Sequence, residues 1–252
     1  MDFLDRLSFQ LYSSRKFPPL GSQLATLAKL GYRNVEPFGA LFGEADSFEV
    51  ALDKNGLATP TSHVGIETFR SDFASVAPLA RRFGFTTVVV PYLQPHERPK
   101  DGAGWSAFGR ELQGYAAKLK SEGLKLAWHN HDFEMIALPG GKIPMDLIFA
   151  EAPDLYWEID IGWIVRAGAD PLPWLQRYRD RIKAVHLKDV APAGKASDED
   201  GWADVGEGTI DWKRLVPAMA ATGADVVMIV EHDNPADYER FARRSREAVA
   251  GW

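Results

Sequence analysis

Eight short apolar or β-branched runs alternate with eight amphipathic segments along the chain, and no other feature narrows the fold so far. The strand-like runs fall at 7–11, 34–37, 59–64, 86–91, 124–130, 156–161, 182–187 and 226–231. The helix-like segments fall at 23–30, 48–55, 73–83, 105–122, 145–150, 173–178, 212–222 and 237–249. Runs such as Thr87-Val88-Val89-Val90 lack polar alternation, as expected of strands covered on both faces of a parallel sheet. Several helical segments stop at a glycine, as at Gly31, Gly84 and Gly123. Strict alternation predicts an α/β fold of the (β/α)8 TIM-barrel type, with 1–252 as a single domain. A doubly wound open sheet is expected to carry a Gly-rich phosphate loop after an early strand. The first strand runs instead into Tyr12-Ser13-Ser14-Arg15. The polar stretches 94–103 and 191–208 read as loops over the barrel mouth.

The chain has no cysteine, which removes disulfides, thiolate metal sites and cysteine nucleophiles together. Any metal must then be held by His, Asp or Glu, a donor set that favours Mn²⁺, Mg²⁺, Co²⁺ or catalytic Zn²⁺. A net charge of -6 with no basic stripe argues against a nucleic-acid partner. No apolar run reaches membrane-spanning length, so no membrane partner is expected. The start, Met1-Asp2-Phe3-Leu4-Asp5-Arg6, has no basic-then-apolar leader pattern. The expected location is cytoplasmic, with a cleaved leader ahead of this sequence left open. A homo-oligomer is compatible with all of this.

Four segments in the second half place metal-ligand side chains at the ends of predicted strands. They are Trp128-His129-Asn130-His131, Trp157-Glu158-Ile159-Asp160, Val185-His186-Leu187-Lys188-Asp189 and Ile229-Val230-Glu231-His232-Asp233. They recur about every 25 to 45 residues, the length of one strand–loop–helix–loop unit. Charged or imidazole groups beside apolar runs are costly to bury unless paired or bound to a metal. Barrel sites sit at the C-terminal strand ends, where Glu36, His63, His129, His131, Glu158, Asp160, His186, Lys188 and Glu231 all fall. Residues two apart on a strand share a face, so His129 and His131, Glu158 and Asp160, and His186 and Lys188 pair up.

Each of these also has a structural reading. A lone His can be a hydrogen-bonded core residue, Asp160 can cap a helix, Glu158 can face outward toward Lys or Arg, and Glu36 can be a solvated turn residue. His63 can simply pack beneath a loop. The joint placement on successive strand ends favours a metal site. Gly206-Glu207-Gly208 could bring amides to a phosphate or merely make a turn. Among the aromatics, Trp163 and Trp202 lie near the predicted mouth.

The chain resembles the sugar phosphate isomerase/epimerase superfamily, the xylose isomerase-like barrels. The resemblance runs from Ser8-Phe9-Gln10-Leu11-Tyr12-Ser13 and Gly31-Tyr32-Arg33-Asn34-Val35-Glu36-Pro37 to Val205-Gly206-Glu207-Gly208 and Val230-Glu231. His129-Asn130-His131-Asp132-Phe133-Glu134 with His186-Leu187-Lys188-Asp189 marks a branch thought to act on keto sugars, inososes or 3-keto-glycosides. The resemblance implies metal ligands Asp160, His186 and Glu231. Where many members have a Glu as first ligand this chain has His129, with His131 or Glu134 as alternatives from a shifted register. The endonuclease members carry a His where this chain has Trp163.

The resemblance therefore implies one divalent ion, Mn²⁺ first, on His129, Asp160, His186 and Glu231. The expected activity is isomerisation or epimerisation of a small carbohydrate by proton abstraction next to its carbonyl. Glu231, His131 and Lys188 are the catalytic candidates, and Glu36, His63, Glu134, Glu158 and Trp163 the substrate-binding ones. A lyase, dehydratase or hydrolase of 3-keto-glycosides is the alternative, since loss of the first Glu removes one of the two bases of an epimerase. A non-catalytic sugar-binding barrel is the remote one.

Overall fold

The computed structural model describes residues 3–252, so Met1 and Asp2, part of the start read for a leader pattern, lie outside the described residues. Eight parallel strands form the barrel wall: β1 Leu7–Gln10, β2 Asn34–Glu36, β3 Thr61–His63, β4 Thr87–Val90, β5 Lys125–His129, β6 Tyr156–Asp160, β7 Ile182–Leu187 and β10 Val227–Val230. Their order is β2-β1-β10-β7-β6-β5-β4-β3. The remaining seam, between β2 and β3, is bridged by the isolated parallel pairs Asn34 with Ala58 and Phe38 with His63. Two further strands pair antiparallel, β8 Asp189–Val190 just before the loop predicted at 191–208 and β9 Trp202–Ala203 within it.

Each predicted strand is present within a few residues. The helices are more numerous than predicted: α1 Leu20–Lys29, α2 Ala45–Asn55, α3 Ile66–Ser71, α4 Val76–Phe83, α5 Gly102–Ser121, α6 Pro144–Glu151, α7 Ile161–Arg166, α8 Pro171–Arg177, α9 Trp212–Ala220 and α10 Tyr238–Ala250. The additions are α3 and α7, short helices that leave strand ends directly. The segment predicted at 73–83 opens instead with a 3-10 turn, Phe73–Ser75, before α4. None of the helices is long and apolar enough to cross a membrane.

The core lies between the barrel wall and the helices. Trp128 and Trp157 point outward from β5 and β6 and are fully buried there, Trp128 against Phe108 of α5 and Trp157 against Phe149 of α6. Their inward neighbours are therefore the polar ones, because side chains alternate along a strand. Gly162, at the start of α7, shows how tightly the mouth is built. A Cβ there would sit 2.6 Å from the Lys188 carbonyl oxygen, so only glycine lets α7 pass that strand end.

Candidate active site

Strand register sets the height of each polar side chain. His129 lies beside Glu158 across the β5–β6 pair, and Asp160 lies beside His186 across β6–β7. Glu158 and Asp160, two apart on β6, both face the axis at successive heights. The result is two polar tiers, one open to the mouth and one beneath it.

The upper tier holds His129, Asp160, His186 and Glu231, each buried, with one ligand atom from each within 4.8 Å of the others. His186 Nδ1 lies 2.8 Å from Glu231 Oε2 and 4.0 Å from Asp160 Oδ2, and His129 Nε2 lies 3.9 Å from Asp160 Oδ2. Asp160 divides its oxygens. Oδ1 accepts the Trp163 backbone N–H at 2.8 Å and so caps α7, while Oδ2 is buried with no hydrogen-bond partner among the described residues. A buried carboxylate oxygen without a partner is costly. Burial, reinforced by Glu231, raises the Asp160 carboxyl to about 7 against the pull of Lys188. Two carboxylates and two imidazoles around an unsatisfied oxygen are the donor set of a divalent cation with room for substrate oxygens. The residues present fit such an ion.

The lower tier holds Gln10, Glu36, His63 and Glu158. Gln10 Nε2 donates to Glu36 Oε2 at 2.7 Å, and Glu36 Oε2 lies 2.8 Å from His186 Nε2 and 3.3 Å from His63 Nε2. Glu158 Oε1 lies 2.6 Å from His63 Nε2, 3.0 Å from His186 Nε2 and 3.1 Å from His129 Nδ1. Burial alone would raise the Glu158 carboxyl, but His186 and His63 outweigh it and hold the group well below the usual range. Burial and the nearby Glu158 push Glu36 up to about 6. His186 sits between the tiers. Burial opposes its charge, yet Glu158 and Glu231 raise its pKa well above the ordinary value.

Above the upper tier opens a cavity of about 670 Å³, walled by Tyr12, Phe38, Tyr92, His131 and Trp163, with Lys188, Glu231 and Asp233 on its floor. Lys188 is buried. Its Nζ donates to Asp233 Oδ1 at 2.6 Å and Glu231 Oε2 at 3.0 Å, with Trp202 and Trp163 flanking it at 4.6 and 5.1 Å. Desolvation works against its charge, but Asp233 and Glu231 more than compensate and raise its pKa. The His131 ring is wedged between Tyr92 and Trp163 at 4.8 and 4.9 Å. Burial, helped by His129 and Lys188, keeps it neutral, and its Nδ1 has no partner among the described residues. Trp163 Nε1 is likewise buried and unpartnered, a donor open to a ligand hydroxyl.

The residues singled out from sequence thus fall into three places. His131, Lys188, Glu231 and Trp163 wall the cavity; His129, Asp160 and His186 gather beneath it with Glu231; Glu36, His63 and Glu158 form the layer below, although His63 and His129 still reach the cavity wall. Glu134 stands apart, since its oxygens accept Trp128 Nε1 at 3.0 Å and the His131 backbone N–H at 2.9 Å. It braces the loop that carries His131, and burial pushes it up to about 8. Trp202 lies behind Trp163, at 4.8 Å, rather than on the wall. The amides of Gly206 and Gly208 donate to the Asp189 carboxylate at 2.9 and 3.3 Å, and so make a pinned turn rather than a phosphate cradle.

Sequence reasoning missed Gln10, Tyr12, Phe38, Tyr92 and Asp233. Asp233 alone carried a signal, two residues beyond Glu231 and so on the same face.

Residues 24–250 match the family model of the xylose isomerase-like TIM barrel. An inosose dehydratase of Lacticaseibacillus casei is 26% identical over 165 residues, 58% of this chain and 54% of that protein. The chain thus spans about half the length of that relative. The rhizopine catabolism protein MocC of Rhizobium meliloti is 25% identical over 265 residues, covering 92% of this chain and 81% of its own. A sugar phosphate isomerase/epimerase structure from Parabacteroides distasonis superposes with a TM-score of 0.80 at 18% identity, over 97% of this chain and 93% of that one. The chain belongs to the xylose isomerase-like TIM-barrel family.

Proposed function

We propose that this member of the xylose isomerase-like TIM barrels is a divalent-metal-dependent dehydratase of inososes or related cyclic keto sugars. The similarity to inosose dehydratase favours elimination over the isomerisation that the motifs alone put first. The observation that carries the reading is that one cavity is lined by both His131, whose Nδ1 has no partner among the described residues, and the buried Lys188 ammonium. His131 has a free lone pair to take a proton, and Lys188 has protons to give. Elimination and epimerisation each need one acceptor and one donor, so this pair supports proton transfer and the similarity to inosose dehydratase makes the choice between outcomes.

His129, Asp160, His186 and Glu231 would hold the ion, Mn²⁺ first among Mn²⁺, Mg²⁺, Co²⁺ and Zn²⁺. Bound there, it would polarise the substrate carbonyl and acidify the neighbouring C–H. Trp163 and the aromatic wall orient the ring of the substrate and exclude water from its apolar faces. His131 removes the proton from the carbon next to the carbonyl. The electron pair left behind forms the new C=C bond as the β-hydroxyl departs. Lys188 protonates that hydroxyl, which leaves as water, and the product is an enol that settles as a 1,2-diketone, because the carbon that lost the proton also bears a hydroxyl. Asp233 and Glu231 hold the Lys188 ammonium in place for this step. Isomerisation would share the proton removal but return the proton to the neighbouring carbon.

NMR of the Mn²⁺-reconstituted, then exchanged to Mg²⁺, protein with an inosose in deuterated water separates the outcomes. Dehydration predicts a second carbonyl carbon and a ring methylene carrying solvent deuterium, with loss of two hydroxyl-bearing carbons. An epimeric or isomeric sugar carrying solvent deuterium, with every carbon still bearing oxygen, would contradict it.

A further inference from the structure

His129 and His186 each face two ways. His129 turns Nε2 toward Asp160 and Nδ1 toward Glu158; His186 turns Nδ1 toward Glu231 and Nε2 toward Glu36 and Glu158. An imidazole that is neutral carries one N–H, and which nitrogen bears it decides which lone pair can bind a metal. We propose that Glu158 is a positioning residue for the ion site, its Oε1 accepting the N–H of His129 Nδ1 and so leaving His129 Nε2 as the lone pair presented to the cavity. The proposal rests on the metal-dependent reading above and names the group that makes His129 competent for it.

Three observations support it. Glu158 is fully buried on β6 directly beside His129, so register fixes the pair. Its Oε1 collects three imidazole nitrogens, from His63, His186 and His129, at 2.6 to 3.1 Å, all hydrogen-bond lengths. A carboxylate can only accept, so the nitrogens turned toward it must be the protonated ones. Glu36 repeats the arrangement for His186 at 2.8 Å and is itself held by Gln10. Carboxylates behind metal-bound imidazoles fix tautomer and ring orientation and raise ligand basicity.

The same four side chains, His63, His129, Glu158 and His186, also meet the distance requirement for a second cation. Geometry decides between the two readings. Glu158 Oε1 itself occupies the point on which the three nitrogens converge, so an ion there would have to displace the oxygen that holds them. The lower tier is a hydrogen-bonded base for one ion site.

Calorimetric titration of the chelator-stripped protein with Co²⁺ tests this apart from activity. One ion per chain is expected. Glu158→Gln keeps an acceptor but loses the charge, and Glu158→Ala loses both. Affinity should fall about 10-fold and about 100-fold respectively, with stoichiometry unchanged. Wild-type affinity in both variants, or two ions in the wild type and one in Glu158→Ala, would overturn the positioning role. A wild type that binds no Co²⁺ would instead contradict the functional reading beneath it. Should either variant fail to fold, ¹⁵N-imidazole NMR of the Zn²⁺-loaded wild type still decides. A protonated Nδ1 and unprotonated Nε2 on His129 supports the role, and the reverse tautomer overturns it.

Discussion

The upper and lower tiers are built from the same residue types, yet their oxygens and nitrogens are used differently. In the lower tier, Gln10, Glu36, His63 and Glu158 contact one another at 2.6 to 3.4 Å, each carboxylate through one oxygen, while Glu36 Oε1 and Glu158 Oε2 are buried without a hydrogen-bond partner among the described residues. In the upper tier, Asp160 keeps one oxygen unpartnered and His129 lies 3.9 Å from it, too far for a hydrogen bond. Spacing separates the two tiers: imidazole and carboxylate meet at hydrogen-bond lengths around Glu158, but stand 3.9 and 4.0 Å apart around Asp160, although register sets His129 level with Glu158.

The largest effects should come from emptying the upper tier. Asp160→Ala and His186→Ala should abolish divalent-ion binding together with turnover, a loss of about 10³-fold or more, since an ion held there would supply several kcal/mol at the transition state. Atomic absorption and initial rates on the same samples would check it. Retained ion binding in Asp160→Ala would break the division into tiers.

His131→Asn should lower kcat by about 10²- to 10⁴-fold, the range of a general base, while ion affinity stays unchanged. A parallel loss of affinity would put His131 in the ion site instead. Lys188→Met removes the cation that faces Glu231 and Asp233 and leaves buried negative charge without a partner. We expect the metal-free protein to lose about 3–5 kcal/mol by denaturant unfolding, and the ion-loaded protein to lose less.

The smallest expected effect comes from His232, next to Glu231 on the chain but outside both tiers. Its Nδ1 accepts the Asn234 backbone N–H at 3.1 Å and its ring packs on Phe241. Burial lowers its pKa from 6.5 to about 4, so the folded state favours the neutral ring. Its contribution to stability is therefore present above pH 6.5 and is lost as pH falls toward 4, by at most about 1.4 kcal/mol per pH unit. In His232→Gln the stability of the protein should fall less steeply over that window than in the wild type. Identical pH profiles would remove His232 from the account.

The barrel was legible because its strands are short runs such as Thr87-Val88-Val89-Val90 with no competing pattern. Helix α7 was not. Ile161-Gly162-Trp163-Ile164-Val165 is β-branched and aromatic and prolongs the strand pattern, so the Asp160 cap was the only start signal. The upper tier was legible for the same reason as the strands, since charged groups beside apolar runs announce themselves. Membership of the lower tier was partly visible in Glu36, His63 and Glu158, but not their mutual contacts. Glu36 meets His186 across 150 residues and His63 meets Glu158 across 95, and no spacing in a sequence reports that. Tyr12, Phe38 and Tyr92 gave no signal, being aromatics of the kind common in any core, and Gln10 stands on the first strand with no carboxylate or imidazole two residues away to mark it.

The most direct test of the central claim is a metal add-back titration of the chelated protein, following formation of the dehydrated diketone from an inosose. The account predicts no activity in the stripped protein and a linear return that saturates at one Mn²⁺ per chain. Full activity after chelation, or saturation only at two ions, would contradict it.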